Sequence, residues 1–517
     1  MTLSIRRYLS LWLPHLPTDR ARRLRRIASD EPLACVATLA NARRLVDVDR
    51  NALALGLSPG LSLADARARH PNLVAIEAEP HEEDKLLERI ADDCARFTPL
   101  VARQGRDALM LDVSGVAHLF GGEEGLVGEV AARFARLGLN VSLGLADNPL
   151  AAYALARHGR SVIAPAGLEG KAFAKAFHDM PLTALALSEK IVADMARAGL
   201  RRVGDLAMRP RAPIAARFGA FVIERLDALH GLSRDAISPR FAAPVFVAER
   251  RFASPLQRVE GVAATLAKLA DDLVVLLNRQ AKGARALELS LFRVDGDVRI
   301  IRVGAGAPIN DPAAIARLFK EKLSGGQEDD IDAGFGIDLI RLSCVSAEPL
   351  AQAQDGFDQA LDAERARSLS RLLDTLSARL GPGRVTRQTL VDAHMPEQAV
   401  AATPAQRLVP PTLLALAPQD SPTRPLRLFQ HPEPIETIAE VPDGPPLRFT
   451  WRRMAHTVAA IEGPERISAP WWRGQDMPTR DYFRAEDREG RRFWLYREGL
   501  WGSETTRAKW FMHGVFG

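Results

Sequence analysis

The sequence predicts an α+β protein of several domains, and three observations lead to this prediction. Its 517 residues exceed one ordinary domain and suggest three or four. Residues 1–170 alternate short apolar strands with amphipathic helices in the order βαββαβ. The composition also changes along the chain, because residues 400–446 are rich in proline and residues 447–517 hold six of the seven tryptophans. A multidomain α+β fold with a linker and a small aromatic-rich, β-containing C-terminal domain accounts for all three.

The strand near residues 107–113 is the centre of the first domain. It reads Asp-Ala-Leu-Met-Leu-Asp-Val and leads into a Ser-Gly turn and a helical pattern. Side chains alternate between the two faces of a strand, so we expect Asp107 to share a face with Leu109 and Leu111, with Ala108 on the other face. Asp107 is then the acid that can serve a site on its face.

This stretch resembles the catalytic palm of Y-family (translesion) DNA polymerases, and most closely the ImuB branch, the polymerase-like subunits of bacterial mutagenesis complexes. The family's metal-binding Asp falls on Asp107 and its catalytic Glu on Ala108. The Asp-Phe-Asp-like motif of the family's first strand falls on Leu11-Trp12-Leu13. Two-metal catalysis needs carboxylates from at least two strands. The resemblance therefore implies a catalytic site degenerate at Leu11, Leu13 and Ala108, with Asp107 retained and no metal or cofactor.

Alternatives to a degenerate site remain open. Asp19 or His15 could replace the missing ligand, although Asp19 is better explained as a helix cap and His15 as a loop residue. Asp107 could also be an ordinary hydrogen-bonded acid at the start of a strand. The competing hypothesis is an active translesion polymerase that uses Asp107 and Mg²⁺.

Residues 49–60 resemble the fingers segment of the same family, in which a Tyr and an Arg contact the incoming triphosphate. Aligned on the two glycines of the segment, these positions are Arg50 and Leu53. The resemblance implies that the nucleotide contacts are lost. Arg43 and Arg44 lie nearby and could meet a phosphate, or they could be ordinary solvated side chains.

Residues 171–240 hold 12 Lys and Arg against 7 Asp and Glu. Their glycine-terminated helices resemble the helix-hairpin-helix units of the family's thumb, where backbone N–H groups approach a DNA phosphate. The alternative is a pair of helices joined by glycine for packing alone. The candidate DNA contacts are Arg201, Arg202, Gly204, Arg217 and Gly219.

Residues 241–346 predict strand, helix, hairpin, helix and strand, a unit that resembles the family's α/β little finger. Charges within 241–345 balance at 14 of each sign, so a DNA contact requires one basic face. A plain solvated sheet face is the alternative. The candidates for the basic face are Arg250, Arg251, Arg285, Arg293 and Arg302.

Residues 347–399 predict a helical extension, and residues 400–446 predict a flexible linker because they are rich in proline. Y-family proteins often carry a short sliding-clamp peptide in such regions. An apolar patch that packs on its own protein is the alternative. The two candidate clamp peptides supply Gln354 and Phe357, and Leu426, Leu428 and Phe429.

Residues 447–517 resemble the C-terminal region of ImuB-like proteins and hold 13 Lys and Arg against 9 Asp and Glu. A hairpin is predicted with its turn at 487–492. Aromatic residues among arginines suit single-stranded nucleic acid, a protein interface, or the core of a thin β-domain. The candidate partner-binding anchors are Trp471, Trp472, Tyr482, Phe483, Trp494 and Trp510.

Composition restricts the compartment and the class of protein. The net charge of +5 and hydrophobic content of 47% are those of an ordinary soluble protein that could bind nucleic acid. Cys35, Cys94 and Cys344 are far apart in apolar runs, which favours reduced thiols in a cytosol. Neither a signal peptide nor a membrane helix is predicted, so we expect a cytoplasmic protein.

The family resemblance implies a non-catalytic adaptor in damage-induced (SOS) mutagenesis. Its partners would be damaged or primer–template DNA, the sliding clamp, a RecA-like accessory subunit, and an error-prone replicative-type polymerase that performs the synthesis. A scaffold that never contacts DNA is a further alternative.

Overall fold

The structure is a computed structural model that describes residues 6–39, 41–233, 237–240, 244–324, 334–350, 360–391, 393–407, 424–441, 444–468, 478–500, 502–505 and 509–517. The chain divides into two compact units, Met1–Ala353 and Gln354–Gly517. Each unit has hydrophobic clusters of its own. Within the described part of the chain, no helix combines the length and apolar character required to cross a membrane.

The first unit contains both strands and helices. Its described strands are β1 (Tyr8–Trp12), β2 (Leu33–Leu39), β3 (Ala42–Val48), β4 (Val74–Glu77), β5 (Val101–Gln104), β6 (Ala108–Asp112), β7 (Ser142–Ala146), β8 (Phe246–Leu256), β9 (Lys282–Arg293), β10 (Val298–Ile309) and β11 (Ile337–Pro349). Its described helices are α1 (Leu16–Arg25), α2 (Arg50–Ala54), α3 (Leu63–Arg69), α4 (Pro80–Cys94), α5 (Glu123–Arg136), α6 (Pro149–His158), α7 (Gly170–Phe177), α8 (Glu189–Arg197), α9 (Val203–Ala207), α10 (Arg211–Phe218), α11 (Ala220–Leu229), α12 (Val259–Arg279) and α13 (Pro312–Ser324).

The palm is a four-stranded sheet with the order β5–β6–β1–β7, in which every neighbouring pair is antiparallel. With α4 and α5 it has the predicted βαββαβ arrangement. Leucines of β1 and β6, such as Leu11 and Leu109, pack with residues of α4 and α5. Tyr8 and Met110 pack instead with α6. Helix α6 therefore covers the face of the sheet opposite to α4 and α5.

Three further subdomains complete the first unit. The fingers contain the small sheet β3–β2–β4 with α2 and α3, and the thumb consists of α7 to α11. The little finger contains the sheet β10–β9–β11–β8 with α12 and α13. The predicted fold class, a Y-polymerase-like palm, fingers, helical thumb and α/β little finger, is confirmed.

The second unit begins with a helix and a hairpin and continues as a barrel. Helix α14 is Ala360–Leu380, and β12 (Thr386–Leu390) pairs with β13 (Val400–Pro404). Six further strands form a closed antiparallel barrel in chain order, in which the last strand pairs with the first. They are β14 (Arg427–Ala439), β15 (Pro446–Trp451), β16 (Met454–Ile467), β17 (Arg480–Asp487), β18 (Arg492–Glu498) and β19 (Lys509–Val515).

The prediction of a linker over 400–446 is wrong where β13 and β14 form, and residues 408–423 lie outside the described residues. Pro432 and Pro434 suggested an irregular segment, yet both belong to β14. Pairing of β14 with β19 shifts register between Leu428 and Glu433. Proline has no N–H to donate, so it fits best where regular pairing is interrupted.

The barrel has an inner core and a second apolar layer outside three of its strands. Phe449, Phe493 and Met512 belong to the inner cluster. Tyr482 and Tyr496 belong to a separate cluster that includes Met395, which precedes β13. Strands β17, β18 and β19 are therefore buried on both faces, because the segment around Met395 covers their outer side.

His513 lies in this outer layer and is fully buried. Its Nδ1 is 2.8 Å from the Tyr482 hydroxyl, and its ring stacks with the rings of Tyr482 and Trp494. Burial lowers the pKa of His513 from 6.5 to about 4, because the charged imidazolium would lose its hydration. The neutral form is therefore the one that this layer accommodates.

We expect the second unit to lose stability as the pH falls from about 6.5 to about 4. Over this window the unfolded chain binds a proton that folded His513 does not, a difference on the order of 3 kcal/mol. Denaturant unfolding followed by tryptophan fluorescence measures it, since six of the seven tryptophans lie in residues 447–517. His513→Gln should flatten the pH dependence of the free energy of unfolding. Identical slopes for the two proteins would contradict the assignment.

Candidate functional site

Asp107 lies immediately before β6 and its carboxylate is already bonded. Trp12 Nε1 donates a hydrogen bond to Asp107 Oδ2 at 2.8 Å. Arg157 donates to both carboxylate oxygens, with distances of 2.9 Å to Oδ1 and 3.3 Å to Oδ2. The Asp107 carboxylate, which the sequence analysis singled out, therefore already has two hydrogen-bonding partners, a guanidinium and an indole.

Arg157 is held in place by two aromatic rings. Its guanidinium carbon lies 4.7 Å from the centroid of the Trp12 ring and 4.6 Å from that of Tyr153. Tyr153 and Arg157 are one helical turn apart on α6, so both reach the same end of the sheet. The Arg157 side chain is 16% exposed and that of Asp107 is 42% exposed. Stacking and ion pairing together fix the cation beside Asp107.

The predicted face of Asp107 is wrong. Leu109 and Leu111 pack with α4 and α5, whereas the partners of Asp107 are Trp12 and Arg157 on the α6 side. Asp107 precedes the first residue of β6, so the alternation of the strand does not determine the direction of its side chain.

The structure also corrects which residue of β1 faces Asp107. Leu11 and Leu13 are buried with the leucines that pack on α4 and α5. Trp12 lies between them on the other face and pairs in register with Ala108, which is fully buried. Strand side chains alternate, so a shift of one residue changes the face. Sequence analysis treated the two leucines as the degenerate positions and gave Trp12 no role, although the Leu-Trp-Leu pattern could have indicated one.

Asp19 and His15, the two residues considered as substitute metal ligands, have partners elsewhere. Asp19 lies inside α1 rather than at its start, and its carboxylate accepts hydrogen bonds from the backbone and side chain of Asn140 at 2.7 Å. It is therefore not the helix cap that the sequence suggested. His15 Nδ1 lies 2.8 Å from the Val48 carbonyl oxygen.

These residues do not fit a pair of Mg²⁺ ions. A two-metal site requires several carboxylate oxygens from separate strands. Asp107 supplies the carboxylate here, and Arg157 already neutralises it. Over the described ranges, no group of three or more His, Cys, Asp or Glu side chains is arranged to hold a metal ion.

The fingers residues are arranged around the small sheet. Arg50 begins α2 and is exposed, and Leu53 on the same helix is 52% exposed. Arg43 forms an ion pair with Glu77 at 2.7 Å. Arg44 donates to the Gly60 carbonyl at 2.9 Å. The two arginines considered as phosphate contacts therefore already have partners within the fingers.

Known proteins resemble this chain in both sequence and structure. Residues 19–157 match the impB/mucB/samB family. The chain is 39% identical over 472 residues to Protein ImuB of Caulobacter vibrioides (strain NA1000 / CB15N), covering 90% of this chain and 100% of that protein. The chain belongs to the ImuB family.

Two DNA polymerases are also similar to this ImuB-family chain. It is 26% identical over 260 residues to DNA polymerase IV of Caulobacter vibrioides (strain ATCC 19089 / CIP 103742 / CB 15), covering 49% of this chain and 64% of that enzyme. A solved insertion ternary complex of Dbh DNA polymerase is 12% identical, with a TM-score of 0.40, and is matched over 66% of this chain and 100% of that one.

The first thumb hairpin of the ImuB-family chain is closed by its own residues. The backbone N–H groups of Arg201 and Arg202 both donate to Asp205 Oδ2 at 2.9 Å. The N–H of Gly204 donates to the His178 carbonyl at 2.9 Å, and a Cβ at Gly204 would come within 3.0 Å of His178. Gly204 therefore serves helix packing, and its predicted role as a phosphate donor is wrong.

The second thumb hairpin is more open. Gly219 joins α10 to α11 with a φ of +98°, a conformation that favours glycine. Gly219 and Arg217 are exposed, and the Arg217 guanidinium lies 5.2 Å from the Phe218 ring centroid. A helix N-terminus next to an exposed arginine is a suitable place for a phosphate. Of the thumb candidates, Arg217 and Gly219 have this arrangement.

The little-finger sheet docks on the palm through buried arginines. Arg133 on α5 donates to both carboxylate oxygens of Asp93 at 2.8 Å and to the Val294 carbonyl at 2.9 Å. Arg341 on β11 donates to the Ala95 carbonyl at 2.5 Å, at the C-terminal end of α4. A cation at a helix C-terminus interacts favourably with the helix dipole. The palm and little finger are therefore tied by partly buried hydrogen bonds of largely buried arginines.

The arginines of the little finger that were predicted to contact DNA differ in how exposed they are and in what they already contact. Arg251 donates to the Arg96 carbonyl, and the Arg293 side chain is 14% exposed and ion-paired with Asp295. Arg285 and Arg302 pair with Glu348 and Glu288, respectively. Arg250 is 46% exposed and lies 3.5 Å from Asp272. Arg250 is thus more accessible than Arg293.

The structure describes one of the two candidate clamp peptides. Gln354 and Phe357 lie outside the described residues. Leu426 is 92% exposed and Leu428 is 36% exposed, but Phe429 packs on the barrel core and stacks with Trp451. A clamp peptide needs its apolar anchors free at the same time. Phe429 would have to leave the barrel to act as one.

The predicted partner-binding aromatic residues of the tail are largely core residues. Tyr482, Phe483, Trp494 and Trp510 are between 1% and 5% exposed, so their prediction as surface anchors is wrong. The reason is the barrel, which buries one set inside and the other beneath the segment around Met395. Trp471 and Trp472 lie outside the described residues.

Proposed function

We propose that this chain is a polymerase-like adaptor that binds primer–template DNA without extending it. The observation that carries this proposal is the bonding of Asp107 to Arg157 and Trp12. The Arg157 guanidinium donates to both carboxylate oxygens, and its charge repels a divalent cation. The Y-family fold is retained because packing does not depend on the catalytic acids.

The proposed DNA contact is the second thumb hairpin, supported by Arg250 of the little finger. Exposed Arg217 and the N-terminus of α11 beside Gly219 offer charge and backbone donors to a phosphate. Such contacts position a protein on DNA without reading its sequence. This suits a protein in damage-induced translesion synthesis that must act at any damaged site.

The proposed partners are a sliding clamp, a RecA-like accessory subunit and an error-prone replicative-type polymerase. Membership of the ImuB family supports them, since the resemblance implies these partners. The chain also has a second compact unit, Gln354–Gly517, that adds an additional barrel to the polymerase-like part. We propose that this second unit recruits the accessory subunit and the polymerase.

Purified protein should not extend a primer–template in the presence of Mg²⁺ or Mn²⁺. Incorporation should equal that of Asp107→Asn, because neither protein can assemble the two metal ions. Arg157→Ala should also remain inactive, since it frees one carboxylate but adds none. DNA polymerase IV of Caulobacter vibrioides provides the positive control. Nucleotide incorporation that Asp107→Ala abolishes would overturn the proposal.

Arg217→Ala should weaken binding to primer–template DNA by several-fold. One lost phosphate contact should reduce the slope of log affinity against log salt concentration by about 0.9. Fluorescence anisotropy across a salt series measures both quantities. Arg202→Ala is the matched control, because Arg202 is exposed but paired with Asp179 at 3.0 Å. Equal effects of the two variants would argue against a contact at the second hairpin.

A chain that ends at Ala353 should lose capture of the accessory subunit and the error-prone polymerase while it keeps its affinity for blunt duplex DNA. The cut falls between the two compact units, so the polymerase-like part stays whole. The measurement is the amount of each partner that co-purifies with the shortened chain, compared with the amount that co-purifies with the full chain. Undiminished capture by the shortened chain would place the partner surface in the first unit instead.

A further inference from the structure

One end of the barrel collects six arginines, and we call this set the barrel rim. Strands β14, β16 and β18 begin at this end, and strands β15, β17 and β19 finish there, because neighbouring strands are antiparallel. The backbone N–H of Arg488 donates to the Thr457 carbonyl, so the turn before β18 lies against β16. The rim consists of Arg427, Arg452, Arg453, Arg488, Arg491 and Arg492, all exposed.

Only part of this positive charge is neutralised locally. Arg491 pairs with Asp487 and Glu489, and Arg452 pairs with Glu433. The remaining four arginines of the rim form no ion pair with any described residue. Asp487 is buried and its carboxylate is bonded to both His456 and Arg491, so its negative charge offsets that of Arg491. The rim is therefore a basic surface on a chain with a small overall charge.

Two aromatic rings lie among these cations. Phe429 and Trp451 stack with a centroid separation of 5.9 Å and an interplanar angle of 30°. Both are partly exposed at the edge of the barrel core. The Arg452 guanidinium lies 4.8 Å from the Trp451 ring and 5.7 Å from the Phe429 ring, and that of Arg427 lies 5.9 Å from Phe429. Rings and guanidinium planes thus form one stacking surface.

The turn that carries two rim arginines has an unfavourable backbone. Arg452 and Arg453 have φ values of +48° and +68° in the two-residue connection between β15 and β16. A two-residue hairpin turn with both residues at positive φ normally contains Asn-Gly, because side chains with a Cβ are strained there. Arginines kept in such a conformation indicate a use for their charge.

We propose that the barrel rim binds single-stranded DNA. Phosphates would contact the arginines of the two turns, and an unstacked base would stack against the partly exposed rings of Phe429 and Trp451. A paired base could not reach rings at the mouth of a barrel, which favours single strands over duplex. An acidic peptide would use the arginines but not the rings. The site is separate from the thumb and does not depend on the proposed function.

The sharpest test is the double substitution Arg452→Asn with Arg453→Gly, called the Asn-Gly variant, because a turn of this type prefers Asn-Gly. Because the change relieves backbone strain, the thermal midpoint should be unchanged or higher. Affinity of the full chain for a fluorescent oligo(dT) should fall by about tenfold, and the salt slope should lose about 1.4, or 0.7 for each of two phosphate contacts. Affinity for a blunt duplex of equal length should not change.

The matched control is Arg384→Gln with Arg387→Gln, which removes two exposed positive charges from β12 and the residues just before it. It should bind oligo(dT) as the wild type does. Arg427→Gln, which removes a guanidinium from the Phe429 ring, should weaken binding without affecting the turn.

Three results would overturn the proposal. The first is a wild-type chain that does not bind oligo(dT). The second is equal affinity of the Asn-Gly variant and the wild type. The third is loss of binding to poly-glutamate by the Asn-Gly variant with oligo(dT) affinity unchanged, which would make the rim a surface for acidic protein. None of these depends on primer extension, so they leave the adaptor proposal to its own tests.

Discussion

The ion pair between Asp107 and Arg157 is the interaction that determines the character of the polymerase-like site. The carboxylate of Asp107 is partly exposed, and it can bind either a metal ion or a positively charged side chain. Here α6 supplies the partner, and Trp12 and Tyr153 hold it from both sides. The negative charge of Asp107 is therefore neutralised by a side chain of the same protein. The palm keeps its shape because its leucine core lies on the opposite face.

The same accounting of charge separates the buried arginines of the palm and little finger from those of the barrel rim. Arginines of the palm and little finger, such as Arg133 and Arg341, are buried against acids and helix-end carbonyls. Removing one partner of such a pair typically costs about 3–5 kcal/mol, so these residues hold subdomains together and are not available to a ligand. The barrel rim has the opposite arrangement, with exposed arginines outnumbering nearby acids. Location of charge, rather than net charge, distinguishes structural arginines from candidate binding residues.

Sequence patterns predicted the little finger well, because the information for it is local. The predicted order of strand, helix, hairpin, helix and strand over residues 241–346 occurs as expected. Prediction failed where a contact distant in sequence decides the outcome. Gly204 bonds to His178, and Tyr482 lies beneath the segment around Met395. Neither partner is evident from the composition or periodicity of the segment it contacts.

The sequence by itself determined the order of the subdomains, the family, and the absence of the usual acids from the aligned catalytic positions, since these follow from local periodicity and residue identity. Only the tertiary structure decided that Trp12, rather than Leu11 or Leu13, meets Asp107, and that Arg157 neutralises it. Only the closed barrel decided which aromatic residues of the tail are core and which arginines share a rim. The physical reason is that a one-residue change of strand face, or the closing of a sheet, alters every neighbour of a side chain without altering the sequence pattern.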